Sequence, residues 1–186
     1  MILEKEKKYR IKSQYVFNKL VSRSLCRALI VQWYDNAGLR TRLEKLSDNE
    51  IWTLNYKKEL TKGIREEEER TIEKSHVNVE DLKCQRMVMK HRYLLNKDPE
   101  IVIDELLNPN NCINYKKDLK EIKYLLEIEE KTINIDLDSY LKDFLGELYF
   151  GLEDLTYKEG YNNSDFAGEY VCEWDALWKY INSKIL

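Results

Sequence analysis

Several short stretches of the chain alternate apolar and polar residues with period two, the pattern of strands that bury one face. In Leu39–Leu43, Arg40 and Arg42 share one face and Leu39, Thr41 and Leu43 the other. In Trp52–Lys57, Thr53, Asn55 and Lys57 oppose Trp52, Leu54 and Tyr56. Around Met87, the set Arg86, Val88, Lys90, Arg92 opposes Met87, Met89, His91 and Tyr93, and later Glu127 and Glu129 oppose Leu126 and Ile128. Each segment therefore offers one apolar and one charged face. Helical spacing predicts elements at Ser13–Val21, Val79–Gln85, Leu137–Leu145 and about Glu169 to Ser183. The last carries Tyr170, Trp174, Leu177, Trp178 and Ile181 as a packing face.

An open sheet would turn its charged face to water. Two features argue otherwise. The polar faces repeatedly set two like charges at i and i+2, first basic and later acidic, which costs repulsion unless a ligand or opposite charge lies across from them. The segments are also too many for one small sheet and are spaced like the strands of a meander. A closed barrel removes edge strands and accommodates a polar interior within an apolar exterior. The fold class expected is mainly β (α+β), an antiparallel closed β-barrel with helices packed outside and a C-terminal helix.

Composition narrows the picture. The 186 residues fit one domain, and 43% hydrophobic with 35% charged residues describe a folded, non-membrane chain. The expected division is a barrel over about 1–167 and a helix over about 169–183. No apolar run approaches a membrane span, and no charged-then-apolar leader precedes the first strand. Cys26, Cys84, Cys112 and Cys172 lie far apart without CxxC spacing, which predicts reduced thiols and a cytoplasmic protein. His76 and His91 lack ligand-spaced partners, so zinc chemistry is not expected. Neither a GxxxxGK[ST] loop nor a GxSxG elbow occurs. Lys5, Lys7, Lys8, Tyr9 and Arg10 form a basic-aromatic stretch, but the interleaved Glu4 and Glu6 cancel much of its field toward nucleic acid.

The charged positions carry a resemblance. Glu4-Lys5-Glu6-Lys7-Lys8 is similar to the ExExK opening of the CYTH superfamily, the triphosphate tunnel metalloenzymes. In the family's order follow Leu39-Arg40-Thr41-Arg42 (R-x-R), Lys57, Gly63 to Glu69 (G-L-S-R-x-E-x-E) and Lys90-His91-Arg92-Tyr93 (K-x-R-Y). Then come Ile103-Asp104 (L-D), Leu126-Glu127-Ile128-Glu129 (V-E-V-E) and Tyr161 to Ala167 (R-Y-x-N-x-x-L-A). The resemblance runs from Leu3 to Ala167. Gly160 stands where the family carries a basic residue before the closing tyrosine, and Lys158 is the nearest cation.

The resemblance implies eight antiparallel strands enclosing a charged tunnel. It implies phosphate binding by Lys8, Arg40, Arg42, Lys57, Arg65, Lys90, Arg92 and Lys158. It implies metal binding by Glu4, Glu6, Asp104, Glu127 and Glu129, with Glu67 and Glu69 as further carboxylates, and catalysis by Glu4, Glu6, Lys8 and Lys57. The chemistry is coherent. A triphosphate needs clustered cations, and arginine's fork matches phosphate oxygens. Carboxylates in the same space suit a hard divalent cation, Mg²⁺ or Mn²⁺. The expected activity is metal-dependent hydrolysis of the terminal phosphate of inorganic triphosphate or a nucleoside or organic triphosphate. The alternatives are a non-catalytic receptor for a phosphorylated nucleotide or an RNA 5′-triphosphate end, and, third, a class IV-like nucleotide cyclase. Thiamine triphosphate stays open as a substrate, since Trp33, Tyr34 and Trp52 are also suited to outer packing. The expected partners are a triphosphate-containing small molecule and no membrane, with the chain a monomer or homodimer.

Overall fold

The structure is a computed structural model that describes residues 2–47, 49–61, 64–130 and 135–183, without the side chains of 2–4, 57–61 and 64–67. The chain is mainly antiparallel β with helices. Its principal strands are β1 (Ile2–Ile11), β2 (Cys26–Tyr34), β3 (Leu39–Leu46), β4 (Asn49–Thr61), β5 (Ile64–Ile72), β6 (Arg86–Lys97), β7 (Glu100–Leu106), β8 (Ile113–Asn114), β9 (Tyr124–Glu130), β10 (Leu152–Asp154) and β11 (Glu169–Tyr170). Nine of them share one sheet in the order β10-β1-β5-β4-β3-β2-β6-β7-β9. β1 also pairs with β9, from Lys5↔Glu130 to Arg10↔Leu125, while its first residues pair with β5. β8 and β11 form a separate two-stranded piece.

Alternation decides which face each side chain meets. On β6, Met87 and Met89 are fully buried on one side, and Lys90 and Arg92 point to the other. The apolar faces are covered from outside in two places. Helix α1 (Gln14–Val21) starts at Ser13, whose Oγ accepts from the Val16 N–H at 3.2 Å, and buries Val16, Phe17 and Leu20. Beside it, α4 (Leu137–Leu145) is capped by Asp136 and buries Leu137, Leu141 and Leu145, one row at i, i+4, i+8. Both cover Ile101, Ile103, Leu126 and Ile128 of β7 and β9. The second cover is α6 (Trp174–Ser183), whose Leu177 and Ile181 pack on Trp33, Trp52, Met87 and Met89. All four tryptophans of the chain meet there: Trp33 stacks on Trp52 and Trp174 on Trp178, each pair 5.8 Å between ring centres. Trp33 and Trp52 are thus outer packing.

A third apolar group lies on the inner side. Val88, Leu106 and Leu125 are covered by Leu155, Phe166 and Ala167, with α3 (Leu119–Ile122) contributing Ile122. The segment carrying Phe166 includes the short helix α5 (Asn163–Phe166). It is tied to the sheet by the Lys8 ammonium donating to the Tyr161 carbonyl and by reciprocal bonds between Met87 and Gly168.

Three expectations are corrected in detail. Helix α2 spans Val79–Lys83, ending before Gln85. The C-terminal helix begins at Trp174 rather than near Glu169, because Glu169 and Tyr170 pair with Asn114 and Ile113. Gly168 makes that approach feasible, since a Cβ there would sit 2.2 Å from the Asn114 carbonyl oxygen. The same pairing aligns Cys112 with Cys172, 60 residues apart, at a Cα–Cα distance of 5.2 Å, and they form a disulfide. Among the described residues Cys26 and Cys84 are free thiols, both exposed. Wide spacing in sequence therefore did not keep the thiols apart. Among the described residues no helix is long and apolar enough to cross a membrane.

Candidate active site

The polar faces of β1, β3, β4, β5, β6, β7 and β9 contribute to one cavity of about 490 Å³. Arg40 and Arg42 reach it from β3, because they are two residues apart on one strand and so share a face. Arg86 and Arg92 reach it from β6, Glu6 and Lys8 from β1, Glu127 and Glu129 from β9, and Glu69 from β5.

Cross-strand register explains the pairings. Lys8 is the direct partner of Glu127, and their side chains form an ion pair at 2.9 Å. Arg92 is the direct partner of Asp104 and grips it with a two-pronged contact, Nε to Oδ1 and Nη2 to Oδ2, both at 2.8 Å. The same Nη2 reaches Glu127 Oε2 at 2.9 Å. Lys90, completely buried, closes on Asp104 Oδ2 at 2.5 Å. The result is an alternating series, Lys90–Asp104–Arg92–Glu127–Lys8, that crosses β6, β7, β9 and β1. Lys8 also lies 3.6 Å from Glu6. On the opposite wall Arg40 and Arg42 approach Glu69 at 3.5 and 3.9 Å, and Asn55 donates to the same carboxylate.

The electrostatics follow. Burial would raise the Glu127 carboxyl, but Lys8, Lys90 and Arg92 outweigh it and hold it well below its ordinary 4.5. Burial acts likewise on Asp104, and Arg92 with Lys90 holds it below its ordinary 3.8. The Lys90 ammonium is pushed down to about 8 by burial and by Arg92, against Asp104. Burial, then repulsion from Arg92 and Arg40, lowers Arg42, with Glu44 and Glu69 opposing more weakly. Arg42 Nε is buried without a hydrogen-bond partner among the described residues. Arg42 is thus a buried cation beside two other cations, a place where an anion would be favoured.

A pH prediction arises here. Groups with depressed folded-state pKa contribute stability that is present above the unfolded value and is lost as pH falls through the folded value. The urea midpoint is expected to fall as pH drops below about 4.5, where Glu127 and then Asp104 begin to protonate in the unfolded chain. Glu127→Gln should make that acid limb shallower, measured by urea titration between pH 6 and pH 2.5. An unchanged slope would mean Glu127 is not held by the cations.

Of the residues singled out in the sequence, Glu6, Lys8, Arg40, Arg42, Glu69, Arg92, Glu127 and Glu129 are brought together around the cavity. The side chains of Glu4, Lys57, Arg65 and Glu67 lie outside the described residues. Lys90 and Asp104 are fully buried behind the wall. Lys158 does not line the cavity: its side chain is 53% exposed and pairs with Glu153, which also holds Arg10. Lys7 points away as well, onto Asp138 of α4, and Lys5 donates to the Ile135 carbonyl. The basic stretch of β1 is thereby split between two faces. His91 sits on the outer side, 3.7 Å from Glu105.

Tyr34, left open in the sequence between substrate contact and outer packing, lines the cavity, as do Arg86, Glu100 and the Asn162–Ser164 edge, for which the sequence suggested no binding role. The parity that selected Lys90 and Arg92 also selects Arg86, so that signal was present. Glu100 shares the parity of Asp104 on β7, so its face was legible too; its pairing with Glu129 across β7 and β9 was not. Glu6 pairs with Glu129 from the other side, so Glu6, Glu129 and Glu100 form a row over three neighbouring strands. Among the described residues no three acidic, histidine or cysteine side chains converge as a metal centre.

No family model and no curated protein matches the chain. Solved structures do. The PH1819 protein of Pyrococcus horikoshii aligns at 21% identity and a TM-score of 0.52, covering 81% of this chain and 92% of that one. The PH1012 protein of the same organism aligns at 14% identity and a TM-score of 0.53, covering 81% and 94%. These two likenesses show the fold. The inorganic triphosphatase NE1496 is also similar, at 17% identity and a TM-score of 0.44 over 89% of this chain and 94% of that one.

Proposed function

We propose that β1, pairing with both β5 and β9, closes eight strands into a barrel whose cavity is a triphosphate tunnel. In this reading the chain is a metal-dependent hydrolase that removes the terminal phosphate of inorganic triphosphate or of a nucleoside or organic triphosphate. The observation that carries the reading is the confinement of Arg40, Arg42, Arg92 and Lys8 with the carboxylates Glu6 and Glu129 around one cavity. Buried cations that repel each other are stabilised by a polyanion, and the forked guanidinium groups match phosphate oxygens.

The side-chain chemistry of the cavity is of the kind a divalent cation uses. Glu6, Glu129 and Glu100 stand on adjacent strands, and their all-oxygen side chains are of the type a hard divalent cation takes. In this reading Glu6 and Glu129 would hold Mg²⁺ or Mn²⁺, with water and phosphate oxygens completing its shell, and the ion would lower the pKa of an attacking water and offset charge on the phosphates. Arg40, Arg42, Arg92 and Lys8 would orient the phosphate chain, which is most of what phosphoryl transfer asks of a protein.

The test is phosphate release from a panel of triphosphates with Mg²⁺, Mn²⁺ or chelator. Turnover is expected with either ion and none with chelator. Glu6→Gln should remove turnover by about 100-fold or more, as loss of a group acting in the transition state does, while triphosphate still binds without metal. Tight binding with no phosphate release under any divalent ion would make the chain a receptor instead.

A further inference from the structure

We infer that Glu127 and Asp104 are positioning carboxylates that lock Arg92 and Lys8 for phosphate, and that neither is a metal ligand. The inference rests on the triphosphate reading of the cavity and divides its carboxylates into two kinds.

The division comes from what each carboxylate touches. Asp104 is fully buried, with both oxygens taken: Oδ1 by Arg92 Nε, Oδ2 by Arg92 Nη2 and Lys90 Nζ. Glu127 gives one oxygen to Lys8 at 2.9 Å and the other to Arg92 at 2.9 Å. Asp104 does not line the cavity at all, and Glu127 already bridges two cations. A divalent ion on Glu127 would also stand beside the Lys8 and Arg92 cations that already hold it, and would be repelled by both. Glu6 and Glu129 face each other across β1 and β9 with Glu100 next in the row, and all three line the cavity.

The geometry also states what the clamps do. Arginine and lysine have long side chains with several rotatable bonds, and ordering them on phosphate costs entropy at the moment of binding. Asp104 fixes the guanidinium plane of Arg92 through two parallel bonds, and Glu127 fixes the spacing between Arg92 and Lys8. That cost is met in folding. Lys90 stands one step further back: it does not line the cavity and acts on phosphate through Asp104 and Arg92.

This assignment reverses the sign of an experiment. If Glu127 were a metal ligand facing the phosphates, neutralising it would relieve repulsion and tighten binding of triphosphate without metal. As a clamp, its loss weakens that binding. The measurement is calorimetric titration of inorganic triphosphate in chelator at low ionic strength, for the parent, Glu127→Gln and Glu129→Gln. Glu127→Gln is expected to weaken binding about tenfold, the scale of one charge-assisted hydrogen bond, and Glu129→Gln to leave it equal or tighter. In parallel, Mn²⁺ binding followed by electron paramagnetic resonance should be unchanged in Glu127→Gln and weakened in Glu129→Gln. Tighter triphosphate binding together with weaker Mn²⁺ binding in Glu127→Gln overturns the inference.

A third arm needs no ligand. The Arg92 Nε–H, donated to Asp104, should give a slowly exchanging guanidinium resonance that Asp104→Asn loses or exposes. If the parent binds no triphosphate, the functional reading fails, and the clamp is then judged by the Mn²⁺ and resonance arms. An Arg92 Nε–H exchanging as fast as an exposed arginine overturns it. Should Asp104→Asn not fold, Glu127→Gln and the parent resonance decide.

Discussion

Replacing Arg42 by Met is expected to weaken triphosphate binding roughly 10- to 100-fold while leaving the ligand-free protein as stable as the parent or more so. A forked contact to a charged oxygen is worth about 1.5–3 kcal/mol, which sets the loss. The stability half follows from the environment of Arg42. Burial, Arg92 and Arg40 all oppose its charge, and Glu44 and Glu69, at 3.5 and 3.9 Å, compensate in part. Methionine keeps much of the stem and removes the charge, so the repulsion ends. Binding with and without metal should fall together, since the lost contact is to phosphate. Calorimetric titration gives the first quantity and urea unfolding the second. A variant that binds normally would show that Arg42 does not meet the anion. One that is markedly destabilised would show that its charge is balanced in the folded chain.

Opening the Cys112–Cys172 disulfide should have the largest effect on stability of any single change proposed here, about 2–4 kcal/mol. The bond closes a loop of 60 residues that includes β9, α4 and α5, so it restricts the unfolded chain strongly. In the folded state it holds the start of α6 beside β8 and β11, next to the backbone bond from Val171 N–H to the Cys112 carbonyl. All four tryptophans belong to the contact between α6 and the sheet. Cys172→Ser, or the parent with a thiol reductant, should therefore unfold at lower urea when followed by tryptophan fluorescence, and reductant should add nothing to the variant. Equal midpoints for the oxidised parent and Cys172→Ser would mean that packing of Leu177 and Ile181 alone seats the helix.

Much of the fold and site was legible in the residues because strand periodicity is local. Arg40 and Arg42 share a face whatever surrounds them, and the same rule placed Met87 and Met89 opposite Arg92. The helices at Gln14–Val21 and Leu137–Leu145 were legible from i, i+4 apolar rows behind a Ser or Asp cap. The ordered series of charged pairs was enough to expect one shared polar interior, and eight of the residues singled out do line it.

Partnerships between distant strands were decided only in three dimensions. That Glu100 joins Glu129 and Glu6, that Cys112 meets Cys172, and that Glu169 and Tyr170 pair as a strand all depend on register between segments tens of residues apart. No local pattern encodes register. The contacts of the carboxylates were decided in the same way. In sequence, Asp104, Glu127 and Glu129 are equivalent acids on alternating strands. Folding gives Asp104 and Glu127 two cations each and places Glu129 between two other glutamates. Composition and periodicity determine which face a charge occupies, and the packing of other strands against that face determines which charge it meets.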